Sequence, residues 1–137
     1  SHVVGGAYHG KRNSFFLLQD KVPGGTTGNR VAEISPTTGA VLNTFQISAL
    51  FSVNFGDLDV DRATGNLFIV SSDEPRIAEL TPTGALVQYH ALPSGVGNLS
   101  GIGIDDKRGE IWVGGTAGTV WRLGQTVTGQ ARATAPD

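Results

Sequence analysis

Three aspartates stand at alternate positions, Asp57, Asp59 and Asp61, just ahead of a turn in the stretch DLDVDRATG. Such spacing opens a calcium loop, in which D-x-[DN]-x-[DN]-G is followed by a bidentate Glu. Here Arg62 occupies the position of the required Gly, and Phe68 the position of the Glu. The EF-hand reading therefore fails. On an extended strand, side chains two apart share a face, so Asp57 and Asp59 would lie together. Two such carboxylates could hold Ca²⁺ or another divalent cation, bind a polar ligand, or accept hydrogen bonds from neighbouring backbone or water.

Other chemistry finds little support. No G-x-S-x-G nucleophile elbow occurs, and GGTTGN lacks the Lys of a phosphate loop. His9 and His90 have no partner visible in the sequence, and the chain has no Cys for a disulfide or a Cys-based zinc site. The formal net charge of -2 and the lack of a basic stripe argue against nucleic acid as partner. No apolar run is long enough for a membrane helix. The chain contains no Met, so it reads as processed or excised, and its composition fits an exported protein, secreted or held in the periplasm or cell envelope.

The elements that must position Asp57 and Asp59 emerge from internal repetition. GDLDVDRATGNLFIV (56–70) aligns without a gap on SGIGIDDKRGEIWVG (100–114), and an earlier copy, VGGAYHGKRNSFFLL (4–18), aligns on both. Asp61 meets Asp105, and Gly65 meets Gly109 and Asn13; Asn is the non-glycine residue that best tolerates a left-handed turn position. RVAEISPTTGAVLNTFQI (30–47) likewise matches RIAELTPTGALVQYHAL (76–92), with a degenerate third copy at 119–133 that keeps Gly129. Each unit reads as four short strands, in the middle copy roughly 55–60, 66–71, 76–81 and 85–91, joined by Gly-, Pro-, Asp- and Thr-rich turns. With 39% hydrophobic and 16% charged residues and 20 glycines used as punctuation, the 137-residue chain is an all-β domain.

A four-stranded antiparallel unit recurring every 40–50 residues or so is the signature of a β-propeller blade. The whole of 1–137 is one propeller segment, with blades at about 1–50, 51–94 and 95–137. The first strand of each blade has small residues or acids on one face (Gly5/Ala7, Asp57/Asp59, Gly101/Gly103) and Gly6/Tyr8, Leu58/Val60 and Ile102/Ile104 on the other. Asp61 and Asp105 are turn residues, whereas Asp57 and Asp59 depart from the repeat. A β-sandwich is the alternative architecture. Trp112 and Trp121 fall at apolar strand positions and are expected in the core.

The middle copy, LDVDRATGNLFIVSSDEPRIAELTPTGALV, resembles the blades of SdiA-regulated propeller domains, and the general pattern resembles NHL-type and gluconolactonase (senescence-marker) six-bladed propellers. The gluconolactonase resemblance implies a divalent metal held in the central channel by Glu, Asn and Asp, supporting lactone hydrolysis. Asn54 and Asn98 occupy equivalent positions at the expected channel entrance, with His2 in the first copy, so Asn54, Asn98, Asp57 and Asp59 are the candidate ligand set; a turn-forming role is the alternative for the two asparagines. No matching Glu accompanies them. The inserted segment DKVPGGTTGN (20–29) and the acidic joint SSDEP (71–75) are further places for a small-molecule or protein ligand, the alternatives being a tolerated loop excursion and a solvated turn.

Propellers close with about 4–8 blades, so three blades call for completion by further blades or by a second copy of the chain. The expectation is thus a non-enzymatic propeller scaffold or binding module within a larger ring or assembly. The alternative is a metal-dependent lactonase with Asp57 and Asp59 beside the metal.

Overall fold

The structure is a computed structural model that describes residues 1–23, 28–125 and 131–133. Twelve strands follow in chain order: β1 (Val3–His9), β2 (Ser14–Lys21), β3 (Gly28–Ile34), β4 (Val41–Gln46), β5 (Asp57–Val60), β6 (Leu67–Val70), β7 (Arg76–Leu80), β8 (Leu86–Ala91), β9 (Leu99–Asp105), β10 (Glu110–Gly115), β11 (Val120–Gln125) and β12 (Ala131–Ala133). They form three four-stranded antiparallel meanders, β1–β4, β5–β8 and β9–β12, each strand bonded to its sequence neighbour. The innermost strands stand side by side, β1 against β5 and β5 against β9, so the sheets are arranged as propeller blades.

The turn between the first two strands of each blade shows why the repeat keeps its residue types. Asp61 accepts hydrogen bonds from the Ala63 N–H at 3.0 Å and the Thr64 hydroxyl at 3.1 Å, and Asp105 does the same for the Arg108 N–H at 3.2 Å. Gly65 and Gly109 take φ of 79° and 64°, and Asn13 takes 49° at the equivalent place. A short side chain that bonds locally tolerates that region, and the Asn13 side chain also accepts the Tyr8 hydroxyl at 2.6 Å.

Packing explains the strand patterns. β6 (LFIV) is apolar throughout because both of its faces are covered. Leu67 and Ile69 pack with Phe16, Leu18 and Val31 of the first blade, joined by Ile47, Phe51 and Val53 of the connecting segment. Phe68 and Val70 turn the other way, onto Leu99, Ile111, Val113 and Leu123 of the third. Each such side chain contributes roughly 1.5–3 kcal/mol when fully buried, so the two blade–blade interfaces carry most of the core.

Trp121 packs against the second of these interfaces, as expected of a core residue. Trp112 does not. It alternates with Ile111 and Val113, so its ring faces away from the second blade, half-buried, with the Arg122 guanidinium 5.9 Å from its centre. Gly129 lies outside the described residues, as do residues 24–27 of the inserted loop.

Candidate functional site

Asp57 and Asp59 are on β5 between the flanking inner strands, and each carboxylate spans two backbone amides. Asp57 accepts from its neighbour Leu58 N–H through Oδ1 at 2.8 Å and from Ile102 N–H on β9 through Oδ2 at 3.1 Å. Asp59 repeats the arrangement one step along, from Val60 N–H at 2.9 Å and Ile104 N–H at 2.7 Å. An inner strand is hydrogen-bonded along one edge only, which leaves outward N–H groups to be satisfied at the axis. The paired acids satisfy them on two strands at once and tie the second blade to the third.

Burial pushes the Asp57 carboxyl above the ordinary aspartate value; the two N–H bonds oppose that shift, and the charge of Asp59 adds to it. On the other side of β5, space comes from glycine. A Cβ on Gly5 would lie 2.1 Å from Asp57 Oδ1 and 2.8 Å from its Cα.

The asparagines sit elsewhere. Asn54 O accepts the Ser72 N–H at 2.9 Å and Asn98 O the Thr116 N–H at 2.8 Å, the same bond in two blades, and His2 O accepts Asp20 N–H at 3.0 Å in the first. The Asn54 side chain points to Asp73 at 3.3 Å, which also takes the Ser52 hydroxyl at 3.1 Å and the Lys21 ammonium. These partners, Lys21 first, hold the Asp73 carboxyl below its usual range. The acidic joint is therefore spanned by donors from the first blade and the linker. Asn98 lines a separate small hollow of about 300 Å³ with Gly97 and Trp121.

A divalent cation asks for several oxygen donors converging on one point. The candidate set does not converge: all four Asp57 and Asp59 oxygens face N–H groups, and Asn54 turns toward Asp73. Among the described residues, no cluster of three or more His, Asp or Glu side chains is disposed to hold a metal.

A larger cavity of about 590 Å³ opens at the other end of the inner strands, lined by Tyr8, His9, Lys11, Asp59, Arg62 and Ile104 among others. His9 closes part of its wall. Its Nδ1 accepts the Arg12 N–H at 3.2 Å, so Nε2 carries the hydrogen and donates to the Gly65 carbonyl of the next blade at 2.9 Å. His9 occupies the repeat position of Asp61 and Asp105, and that departure was the available sequence signal for its different task. Nearby, buried Glu33 takes a bidentate pair from Arg12 at 2.9 and 3.0 Å and the Ser14 hydroxyl at 2.6 Å. Nothing in the sequence pattern marked that network.

No family model and no curated protein sequence matches this chain. Solved structures do. A chain of a nidogen/laminin complex is similar over 98% of this chain and 48% of its own length, with TM-score 0.68 and 18% identity. A chain of hydrazine synthase from Kuenenia stuttgartiensis is similar over 98% and 36%, with TM-score 0.67 and 10% identity. The WD40 β-propeller domain of Doa1 is similar over 96% and 53%, with TM-score 0.52 and 16% identity. At these identities the likeness shows the fold, a β-propeller, and the chain spans about half or less of each of these structures.

Proposed function

We propose that this chain serves as a non-enzymatic β-propeller scaffold or binding module, working within a larger ring. The observation that carries the reading is a contrast between equivalent residues. Val60 and Leu67 of the second blade are 6% and 0% exposed against the first blade. Their counterparts on the free face of the first blade, Tyr8 and Phe15, are 50% and 41% exposed. At the other extreme Val120, the counterpart of buried Ile77, is 56% exposed. Both outer faces are thus of the kind that a neighbouring blade covers.

In this reading Asp57 and Asp59 serve the ring rather than a ligand, and binding partners meet the loops and the cavity mouth. An exported setting, secreted or in the envelope, suits such a scaffold. The lactonase alternative needs those same acids for a metal, and their oxygens are committed to backbone N–H groups.

Two measurements test the proposal. Calcium titration by calorimetry, together with a lactone hydrolysis assay, should give neither heat nor turnover. Calcium-dependent lactone opening abolished in Asp57→Asn/Asp59→Asn would establish the alternative. Sedimentation at low micromolar concentration should show association or poor folding of the lone chain; a compact, stable monomer contradicts the ring.

A further inference from the structure

We infer that the free faces of the first and third blades are shaped for a blade whose inner strand carries two carboxylates at alternate positions, and not for a second copy of this chain. The inference rests on the ring reading above and specifies the chemistry of the missing neighbour. Its basis is an alternation along the inner strands: Gly5 and Ala7 on β1, Asp57 and Asp59 on β5, Gly101 and Gly103 on β9.

The two internal junctions show what each arrangement does. From β5 to β9, acids precede glycines, and the acids reach forward to Ile102 N–H and Ile104 N–H. From β1 to β5, glycine precedes acid, and the missing Gly5 side chain lets Asp57 approach. The counterparts of Ile102 and Ile104 on β1 are Gly6 and Tyr8. Their N–H groups lie on the same strand edge, and among the described residues no carboxylate reaches them. A blade standing before β1 fulfils that role if it bears the acid pair.

The opposite face agrees. A Cβ at Gly101 or Gly103 would meet nothing within 4 Å, so β9 offers the space that an incoming acid-bearing strand uses at Gly5. A second copy would instead set Gly101 and Gly103 beside Gly5 and Ala7. That junction has glycine or alanine on both sides and supplies no acceptor for the Gly6 and Tyr8 amides.

The test adds the acids to this chain. Gly101→Asp/Gly103→Asp makes the copy-to-copy junction resemble the one between β5 and β9, and sedimentation velocity reads the association. The acidic variant should self-associate about tenfold or more tightly than the wild type, as charged acceptors for buried amides imply. Gly101→Ser/Gly103→Ser should show no gain. A wild-type chain that dimerises as tightly as the acidic variant overturns the inference while keeping the ring. Compact monomers of both chains at every concentration overturn the ring itself, and the inference with it. Amide exchange on the wild type gives an answer independent of variant folding. In a wild type that is only loosely folded or loosely associated, as the ring reading expects, Ile102 and Ile104 should still exchange more slowly than Gly6 and Tyr8, which exchange fast at all concentrations. Protection of Gly6 and Tyr8 that grows with concentration means that a second copy closes the ring unaided.

Discussion

Gly5 and Asp57 are in contact so close that neither position tolerates the other's enlargement: a Cβ on Gly5 would fall 2.1 Å from Asp57 Oδ1. The neighbouring backbone, with Asp57 Cα at 2.8 Å, prevents a simple swing of the carboxylate from relieving the clash. Gly5→Ala should therefore destabilise the fold by about 1–3 kcal/mol in urea melts, the usual cost of overpacking. Gly101→Ala is the control. It has open space, and removing glycine freedom from the unfolded chain should leave stability unchanged or raise it by about 0.4–1 kcal/mol. Equal losses in both variants would show that the close approach of β1 and β5 is not what sets the requirement for glycine.

Asp57 and Asp59 look alike in sequence and share one bonding arrangement, two N–H donors to each carboxylate. Asparagine offers one acceptor oxygen to two N–H donors and turns its NH₂ toward the second, so either Asp→Asn change loses a bond. At Asp57 the relief of a buried charge offsets part of that loss. Either Asp→Asn change should cost about 1–3 kcal/mol near neutral pH, Asp57→Asn falling toward the lower end of that range. The sign of the pH effect follows from the raised Asp57 value. The folded state holds this proton more tightly than the unfolded state, so the stabilising effect is full at low pH. It declines as pH climbs from 3.8, the ordinary value, through the raised one. Carboxyl-carbon NMR should show Asp57 titrating late, and Asp57→Asn should remove this decline from the stability profile.

How much of this was legible beforehand depended on what repetition can encode. The three four-stranded units, the strands of the middle one and the turn glycines were readable, because a turn needing φ above zero restricts its residue wherever it recurs. Asn13 is the clearest case: its exchange with Gly65 and Gly109 pointed to a left-handed backbone, and φ is 49°. The acid bridges were not readable in the same way. Alignment showed that Asp57 and Asp59 break the pattern, but their targets, Ile102 and Ile104, are 45 residues away and become neighbours only once inner strands stand side by side. Trp112 lies outside the core for a related reason. Its apolar neighbours pack on the second blade, yet strand alternation aims Trp112 at the face without one.

Glu33 contributes stability of the opposite pH sense to Asp57. Hydrogen bonds from Arg12, supported by Ser14, hold its carboxyl below the ordinary value of 4.5 despite burial. Its stabilising effect is full above that value and is lost as pH falls through the depressed one. Arg12→Ala leaves a carboxylate that is 4% exposed with only the Ser14 hydroxyl as a direct side-chain donor. Because the Arg12 side chain is itself 39% exposed, solvent screens part of the pair, and the expected loss is about 1–3 kcal/mol at neutral pH. The acid-unfolding midpoint should move to higher pH in the variant. An unchanged midpoint would show that Ser14 and the surrounding backbone suffice for Glu33.

Asn29 supplies the most demanding prediction, since two constraints meet in one residue. It takes φ of 50°, and its side chain spans the linker to the second blade. Nδ2 donates to the Phe51 carbonyl at 2.7 Å, and Oδ1 accepts the Val53 N–H at 2.7 Å. Phe51 and Val53 are core residues at 1% and 0% exposure, so this amide fixes the segment that carries them between blades. Alanine would forfeit both bonds, leave a buried N–H and carbonyl unpaired, and strain the left-handed backbone. Asn29→Ala should thus cost about 2–4 kcal/mol. Asn29→Gly separates the causes, because it relaxes the backbone while still losing the bonds. If strain dominates, the glycine variant recovers most of the stability in thermal or urea melts. If the bridge between Phe51 and Val53 dominates, as the burial of both partners implies, glycine should recover less than half of it.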